Sequence, residues 1–165
     1  KDAVKNGADE IDMVINLGMV KEKKWGGLEE EIRAVKEACQ GKILKVIIET
    51  CLLDDEEKKM LCQIVTDAKA DFIKTSTGKI AVNATPEATF IMCNAIKVWK
   101  EATGDKVCYK PAGGVATTEE AVQHYTLVKE ILGEEWLNNE SFRFGASRLA
   151  NNLLTSILGK ETKWF

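Results

Sequence analysis

The chain has 165 residues, of which 45% are hydrophobic and 30% are charged, a composition typical of an ordinary globular protein. This length suits one domain with a substantial core, so we treat residues 1–165 as a single domain. The formal net charge of −3 argues against nucleic acid or an anionic membrane surface as a partner. No apolar run approaches the roughly 18 residues that a membrane-spanning helix requires.

The five cysteines are odd in number, scattered, and never spaced as C-x-x-C, and the chain has one histidine. A disulfide framework or a zinc site would need paired or clustered ligands. We therefore expect no metal, and we expect the thiols to remain reduced in the cytoplasm.

In chain order, the first residues resemble the last turns of a helix that stops at Gly7, and no methionine precedes them. The sequence therefore resembles a chain entered midway. Five short apolar runs have the character of strands: 10–16, 43–50, 71–76, 106–111 and 141–147. Segments with a helical pattern lie between and after them, at about 22–39, 54–69, 86–103, 117–132 and 147–158. Helix starts are predicted at Thr85-Pro86 and Thr117, and helix ends at Gly133 and Gly159.

The predicted strands begin 33, 28, 35 and 35 residues apart. Strands that alternate with helices at this spacing predict consecutive βα units and a parallel sheet, either doubly wound or closed as a barrel. No G-x-G-x-x-G follows a strand, which weakens a dinucleotide-binding interpretation. Five strands cannot close the eight-stranded barrel that such units usually build. Either the sheet is open, or about three βα units are absent at the N-terminus, and the midway start favours the second.

Side chains of a strand alternate between the two faces of a sheet. If the apolar residues Ile11, Met13, Ile15 and Ile73 face the helices, then three polar side chains point the other way, towards a barrel interior near its C-terminal mouth. These are Asp12, Lys74 and Lys110.

One carboxylate and two lysines in a shielded pocket predict imine chemistry. A free lysine with a pKa near 10.4 is neutral in about 1 molecule in 2,500 at pH 7. A fall in that pKa of about 3, caused by burial and a second ammonium, would raise the neutral share to roughly 30%. A neutral amine can attack a carbonyl, and a carboxylate can move protons to and from carbon. The plainer interpretation is that both lysines occupy exposed strand ends.

Three turns rich in small residues follow the last three predicted strands: "STGK" at 76–79, "PAGG" at 111–114 and "GAS" at 145–147. The last two lead directly into predicted helices. Backbone N–H groups at such turns can bind an anion, and barrels often bind phosphate at the loops after strands seven and eight. The alternative is that the glycines only permit tight turns.

At these residues the sequence resembles the 2-deoxyribose-5-phosphate aldolase family. The matching segments span nearly the whole chain in the family's order: "GADEIDMVIN", "KVIIET", "ADFIKTSTGK", "VNATPEA", "KPAGG" and "FRFGAS". The resemblance implies an α/β fold of the (β/α)₈ TIM-barrel family, here about five βα units (strands four to eight). It also implies a class I aldolase that reversibly cleaves 2-deoxy-D-ribose 5-phosphate to D-glyceraldehyde 3-phosphate and acetaldehyde.

The family pattern assigns a role to each matching position. Lys74 would form the Schiff base, Lys110 would perturb its pKa, and Asp12 would act in the proton relay. The substrate's phosphate end would lie near Gly78, Lys79, Gly113, Gly114, Gly145 and Ser147. No organic cofactor and no metal are implied, and we expect a homo-oligomer.

Arg148 departs from the family, many members of which have serine or threonine there, and we hypothesise that it adds a phosphate contact. Two alternatives remain for the function: a transaldolase-like aldolase acting on another sugar phosphate, or an inactive fragment that self-associates. We interpret Glu49 as a partner in a structural ion pair, and His124 as a solvated surface residue.

Overall fold

The computed structural model describes residues 1–164 and contains one parallel sheet whose strands lie side by side in chain order. Within these residues it has four strands: β1 Glu10–Val14, β2 Ile43–Ile47, β3 Phe72–Lys74 and β4 Cys108–Lys110. All three strand pairs are parallel. The predicted parallel βα arrangement is therefore confirmed.

The fifth predicted strand, 141–147, forms two isolated bridges to the β4 region instead of a continuous strand. Phe142 bridges Tyr109 and Gly145 bridges Ala112. The N–H of Arg143 donates to the Tyr109 carbonyl, and the N–H of Gly145 donates to the Pro111 carbonyl. The bond that would lie between them requires an N–H at Pro111, which proline does not have. The proline therefore interrupts the ladder, and the prediction of a full strand was wrong.

Within residues 1–164 the structure has seven α-helices and two short 3₁₀-helices. The α-helices are α1 Asp2–Lys5, α2 Leu17–Lys21, α3 Trp25–Ala38, α4 Asp55–Asp67, α5 Pro86–Thr103, α6 Thr118–Leu132 and α7 Leu149–Leu158, and the 3₁₀-helices are Thr50–Leu52 and Glu134–Trp136. Helix α2 was not predicted. It begins directly after β1 because the Asn16 side chain accepts a hydrogen bond from the N–H of Met19, at 3.2 Å, and so caps the helix.

Side-chain caps define the starts of the longer helices as the sequence predicted. Thr85 directly precedes the proline that opens α5, and its hydroxyl accepts a hydrogen bond from the N–H of Ala88 at 3.1 Å. Thr117 and Glu120 form a reciprocal capping box at the start of α6. At the other ends, Gly133 and Gly159 are the C-caps of α6 and α7.

The hydrophobic core lies between the sheet and the helices. Ile15 and Ile73 are buried in it, and Ile11 and Met13 pack against it, as the alternation of side chains predicted. Helix α5 contributes Met92 to the same core. The opposite face of the sheet therefore carries the polar strand residues and is available for a site.

His124 lies in this core region and not on the surface, so its predicted exposure was wrong. The side chain is 2% exposed, and its Nδ1 lies 2.7 Å from the Thr89 hydroxyl. The same hydroxyl lies 2.7 Å from the Tyr109 hydroxyl. One buried threonine thus links α5, α6 and β4.

Candidate active site

The polar face of the sheet brings Asp12, Lys74 and Lys110 together. Nζ of Lys74 donates to Oδ2 of Asp12 at 2.7 Å, although 62 residues separate them in the chain. Lys74 and Lys110 are register partners on the adjacent strands β3 and β4, so their side chains leave the same face of the sheet. Most of the Lys74 side chain is buried, with 13% exposed. The plainer interpretation of exposed strand ends therefore does not hold for Lys74.

A third lysine, Lys45, belongs to this group and was not predicted. Lys45 lies in the middle of β2, in register with Asp12 on β1. Its ammonium is buried and donates to Oδ1 of Asp12 at 2.9 Å, and it forms an ion pair with Glu10 at 2.7 Å. The two oxygens of Asp12 are thus each bound by a different lysine. The signal in the sequence was a lone lysine inside the apolar run "ILKVII".

Arg143 completes this network from the segment after β4. Its Nη1 lies 2.6 Å from Oε2 of Glu10, which joins the first strand to a residue 133 positions later. Hydrogen bonds from Arg143 and then from Lys45 lower the pKa of Glu10 to about 2. Glu10 therefore stays ionised and keeps Lys45 in place beside Asp12.

Charge and burial act differently on the groups of the pocket. Burial raises the pKa of Asp12, but hydrogen bonds from Lys74 and Lys45 outweigh it, and the net result is a lowered pKa. Burial lowers the pKa of Lys110, and the neighbouring charge of Lys74 lowers it further. The site thus holds an ionised carboxylate next to a lysine whose protonated form is disfavoured.

A cavity of about 540 Å³ opens from Lys74 towards the loops that follow β3 and β4. Its lining includes most of the residues predicted for the phosphate end: Gly78, Gly113, Gly114, Gly145 and Ser147. Lys79 is exposed and does not line this cavity, whereas Arg148 does.

Two glycines of this cavity cannot be replaced without a clash. At Gly113, φ is +78° and an added Cβ would lie 2.7 Å from the side chain of Asn83. At Gly145, an added Cβ would lie 2.6 Å from Cβ of Ala112. The loops are therefore packed against each other as well as turned sharply.

A buried threonine joins the ends of β3 and β4. The Thr75 hydroxyl accepts the N–H of Ala112 at 2.9 Å and lies 3.2 Å from the Ala112 carbonyl oxygen. The N–H of Thr75 also donates to the Lys110 carbonyl at 3.2 Å. The residue after Lys74 is thus tied to the loop that precedes the glycine pair.

Glu49 does not form the ion pair that the sequence suggested. It is 4% exposed, has a left-handed backbone (φ 55°), and accepts the N–H of Thr77 at 3.1 Å. Its carboxylate therefore supports the loop that lines the cavity.

The described residues 1–164 contain no group of three or more His, Cys, Asp or Glu residues that could hold a metal ion. No helix in this part of the chain is long and apolar enough to cross a membrane.

A parallel sheet of βα units, with lysines at the carboxyl ends of its strands and a glycine-lined cavity beside them, is typical of part of a (β/α)₈ barrel whose site lies at that end of the strands. Comparison with known proteins supports this fold class. The model of the DeoC/LacD family aldolases matches residues 1–135. The chain therefore belongs to the DeoC/LacD aldolase family.

Relatives and solved structures agree with this assignment. Deoxyribose-phosphate aldolase of Finegoldia magna is 49% identical over 74% of this chain and 54% of its own length. The human enzyme of that name is 42% identical over 92% of this chain and 48% of its own. The fold also matches the tetrameric deoxyribose phosphate aldolase of Aeropyrum pernix with a TM-score of 0.72 at 22% identity, covering 93% of this chain and 57% of that one. The chain spans about half the length of the curated relatives it matches.

Proposed function

We propose that this chain carries the active site of a class I aldolase that reversibly cleaves 2-deoxy-D-ribose 5-phosphate to D-glyceraldehyde 3-phosphate and acetaldehyde. One observation carries the proposal: Lys74 lines the cavity while its ammonium is held at 2.7 Å from Asp12. Membership of the DeoC/LacD family and relatives named for this reaction support the choice of substrate.

In the proposed reaction, Lys74 attacks the C1 carbonyl of the substrate, and loss of water gives an imine. The imine withdraws electrons from the C2–C3 bond while a base removes the proton of the C3 hydroxyl, and glyceraldehyde 3-phosphate leaves. The remaining enamine takes a proton at C2, and hydrolysis of the imine releases acetaldehyde. These steps need only proton transfers and a lysine.

Each neighbouring group has a role in this scheme. Lys74 must first give up a proton, and Asp12 is the nearest carboxylate that can accept and pass it on, directly or through water. Lys110 is the register partner of Lys74, and the neighbouring charge of Lys74 lowers the pKa of Lys110, so the pair disfavours two adjacent ammonium groups. When the Lys74–Asp12 pair opens, Lys45 still binds the other Asp12 oxygen.

A trapping experiment tests this function. The chain is incubated with acetaldehyde, reduced with borohydride and mapped by mass spectrometry, with Lys74→Met as the negative variant and Lys79→Met as the matched control. An adduct on Lys74 that persists in Lys79→Met supports the proposal. An adduct formed only with a ketose phosphate supports the transaldolase-like alternative, and no adduct on a folded chain means an inert fragment.

Assembly and location are separate proposals. Among residues 1–164, strand β1 pairs only with β2, so its other edge offers unpaired backbone groups. Val14, on the open face, is 44% exposed. We infer that the chain forms a homo-oligomer, which light scattering would test. The five cysteines are free thiols, which supports a cytoplasmic location.

A further inference from the structure

The charged lining of the cavity is positive throughout. Of the residues that line it, only Lys74 and Arg148 carry charge, and no aspartate or glutamate is among them. Lys74 is the last residue of β3, whereas Arg148 immediately precedes α7. The cavity therefore has one lysine placed for the reacting carbonyl and one arginine contributed by a different loop.

Arg148 is the one arginine without a carboxylate partner in the described part of the chain. Arg33 is paired with Glu29 and Arg143 with Glu10. The side chain of Arg148 is exposed, and the first turn of α7 contains no acidic residue that could neutralise it. Its guanidinium is therefore free to bind an anion in the cavity.

We propose that Arg148 is the residue that selects a phosphorylated substrate over its unphosphorylated counterpart. This inference rests on the proposed function and adds a specificity residue to it. A guanidinium can bind two phosphate oxygens through parallel N–H groups, which a serine at this position could not do. Lys79, for which the resemblance implied a position near the phosphate, does not line the cavity, so the second cation of the lining is Arg148, immediately before α7.

Binding of glycerol 3-phosphate, measured by calorimetry, tests this role without requiring turnover. Glycerol serves as the uncharged probe. The variants are Arg148→Ser and Arg148→Lys. Lys160→Ser is the matched control because it removes one exposed positive charge at the other end of α7, outside the cavity lining. Trapping of acetaldehyde on Lys74 is measured in parallel on every variant.

We expect Arg148→Ser to weaken glycerol 3-phosphate binding by about 10- to 100-fold, the range for loss of a charge-assisted hydrogen bond. Arg148→Lys should restore part of the affinity, and Lys160→Ser should change it by less than about threefold. Equal losses in Arg148→Ser and Lys160→Ser, or no phosphate-dependent binding to the unmodified chain, would overturn the inference.

The parallel trapping separates this inference from the proposed function. If acetaldehyde is trapped on Lys74 while Arg148→Ser binds glycerol 3-phosphate normally, the role of Arg148 is wrong and the aldolase proposal stands. If binding depends on Arg148 but no acetaldehyde is trapped, the anion site stands and the aldolase proposal fails.

Discussion

Replacing Glu10 by glutamine removes the charge that joins β1 to the segment after β4. Arg143 lies 2.6 Å and Lys45 lies 2.7 Å from the Glu10 carboxylate. The pKa of Glu10 falls from 4.5 to about 2 in the folded chain. At about 1.4 kcal/mol per pH unit, this corresponds to roughly 3 kcal/mol in favour of the folded state at neutral pH. Since 27% of the side chain is exposed, solvent screening reduces the expected value to about 1–2 kcal/mol.

The sign of the pH dependence follows from the lowered pKa. This stabilisation is fully present above pH 4.5, where the unfolded carboxyl is also ionised, and it is lost as the pH falls towards 2. Urea unfolding followed by tryptophan fluorescence should therefore show Glu10→Gln less stable than the unmodified chain by about 1–2 kcal/mol at pH 7. The difference should shrink progressively below pH 4.5.

Glu56→Gln is the matched control, because its side chain is 84% exposed and, within residues 1–164, its ion pair is with Lys59 alone. Its free energy of unfolding should change by less than about 0.5 kcal/mol at any pH. A Glu10→Gln difference that stays constant from pH 7 to pH 2.5 would refute the reasoning, because the loss would then come from packing and not from charge.

Three further predictions concern other parts of the structure. Lys110→Met removes the amine that is the register partner of Lys74 on β4, so trapping of acetaldehyde on Lys74 at pH 7 should fall, and unchanged trapping would contradict the role of Lys110. Gly113→Ala should lower the free energy of unfolding by about 1–3 kcal/mol more than Gly104→Ala, because both have a positive φ but only Gly113 also meets another side chain at 2.7 Å. Equal losses in the two alanine variants would show that contact to be unimportant. Burial lowers the pKa of His124, so stability should decline as the pH falls below about 6.5, where the unfolded chain takes up a proton. His124→Gln should remove this decline in a pH series of urea unfolding, and a persistent decline would assign it to other groups.

The face of each strand could be predicted from the sequence because it depends only on alternation within the strand. Asp12, Lys74 and Lys110 share a face for that local reason. Lys45 was missed because its partner is set by the register between β1 and β2, which the sequence of either strand does not specify. The burial of Lys45 depends on a neighbour 33 residues away.

The other differences between the prediction and the structure also depend on contacts with distant segments. The segment after β4 has strand character, but the missing hydrogen bond belongs to Pro111 on the strand beside it. His124 lies in a polar stretch of α6, and its burial depends on the packing of α6 against α5, where Thr89 lies. Arg148 lines the cavity and Lys79 does not because of the loop conformation, which residue spacing does not determine.

The tie between Thr75 and Ala112 has a consequence for substrate choice. It fixes the end of β3, which carries Lys74, against the loop that continues into the paired glycines. With the roles proposed above, the amine and the anion-binding groups sit at a set separation. The cavity then selects substrates by the length of their carbon chain. A sugar phosphate one carbon longer or shorter could reach either the amine or the anion-binding groups, but not both.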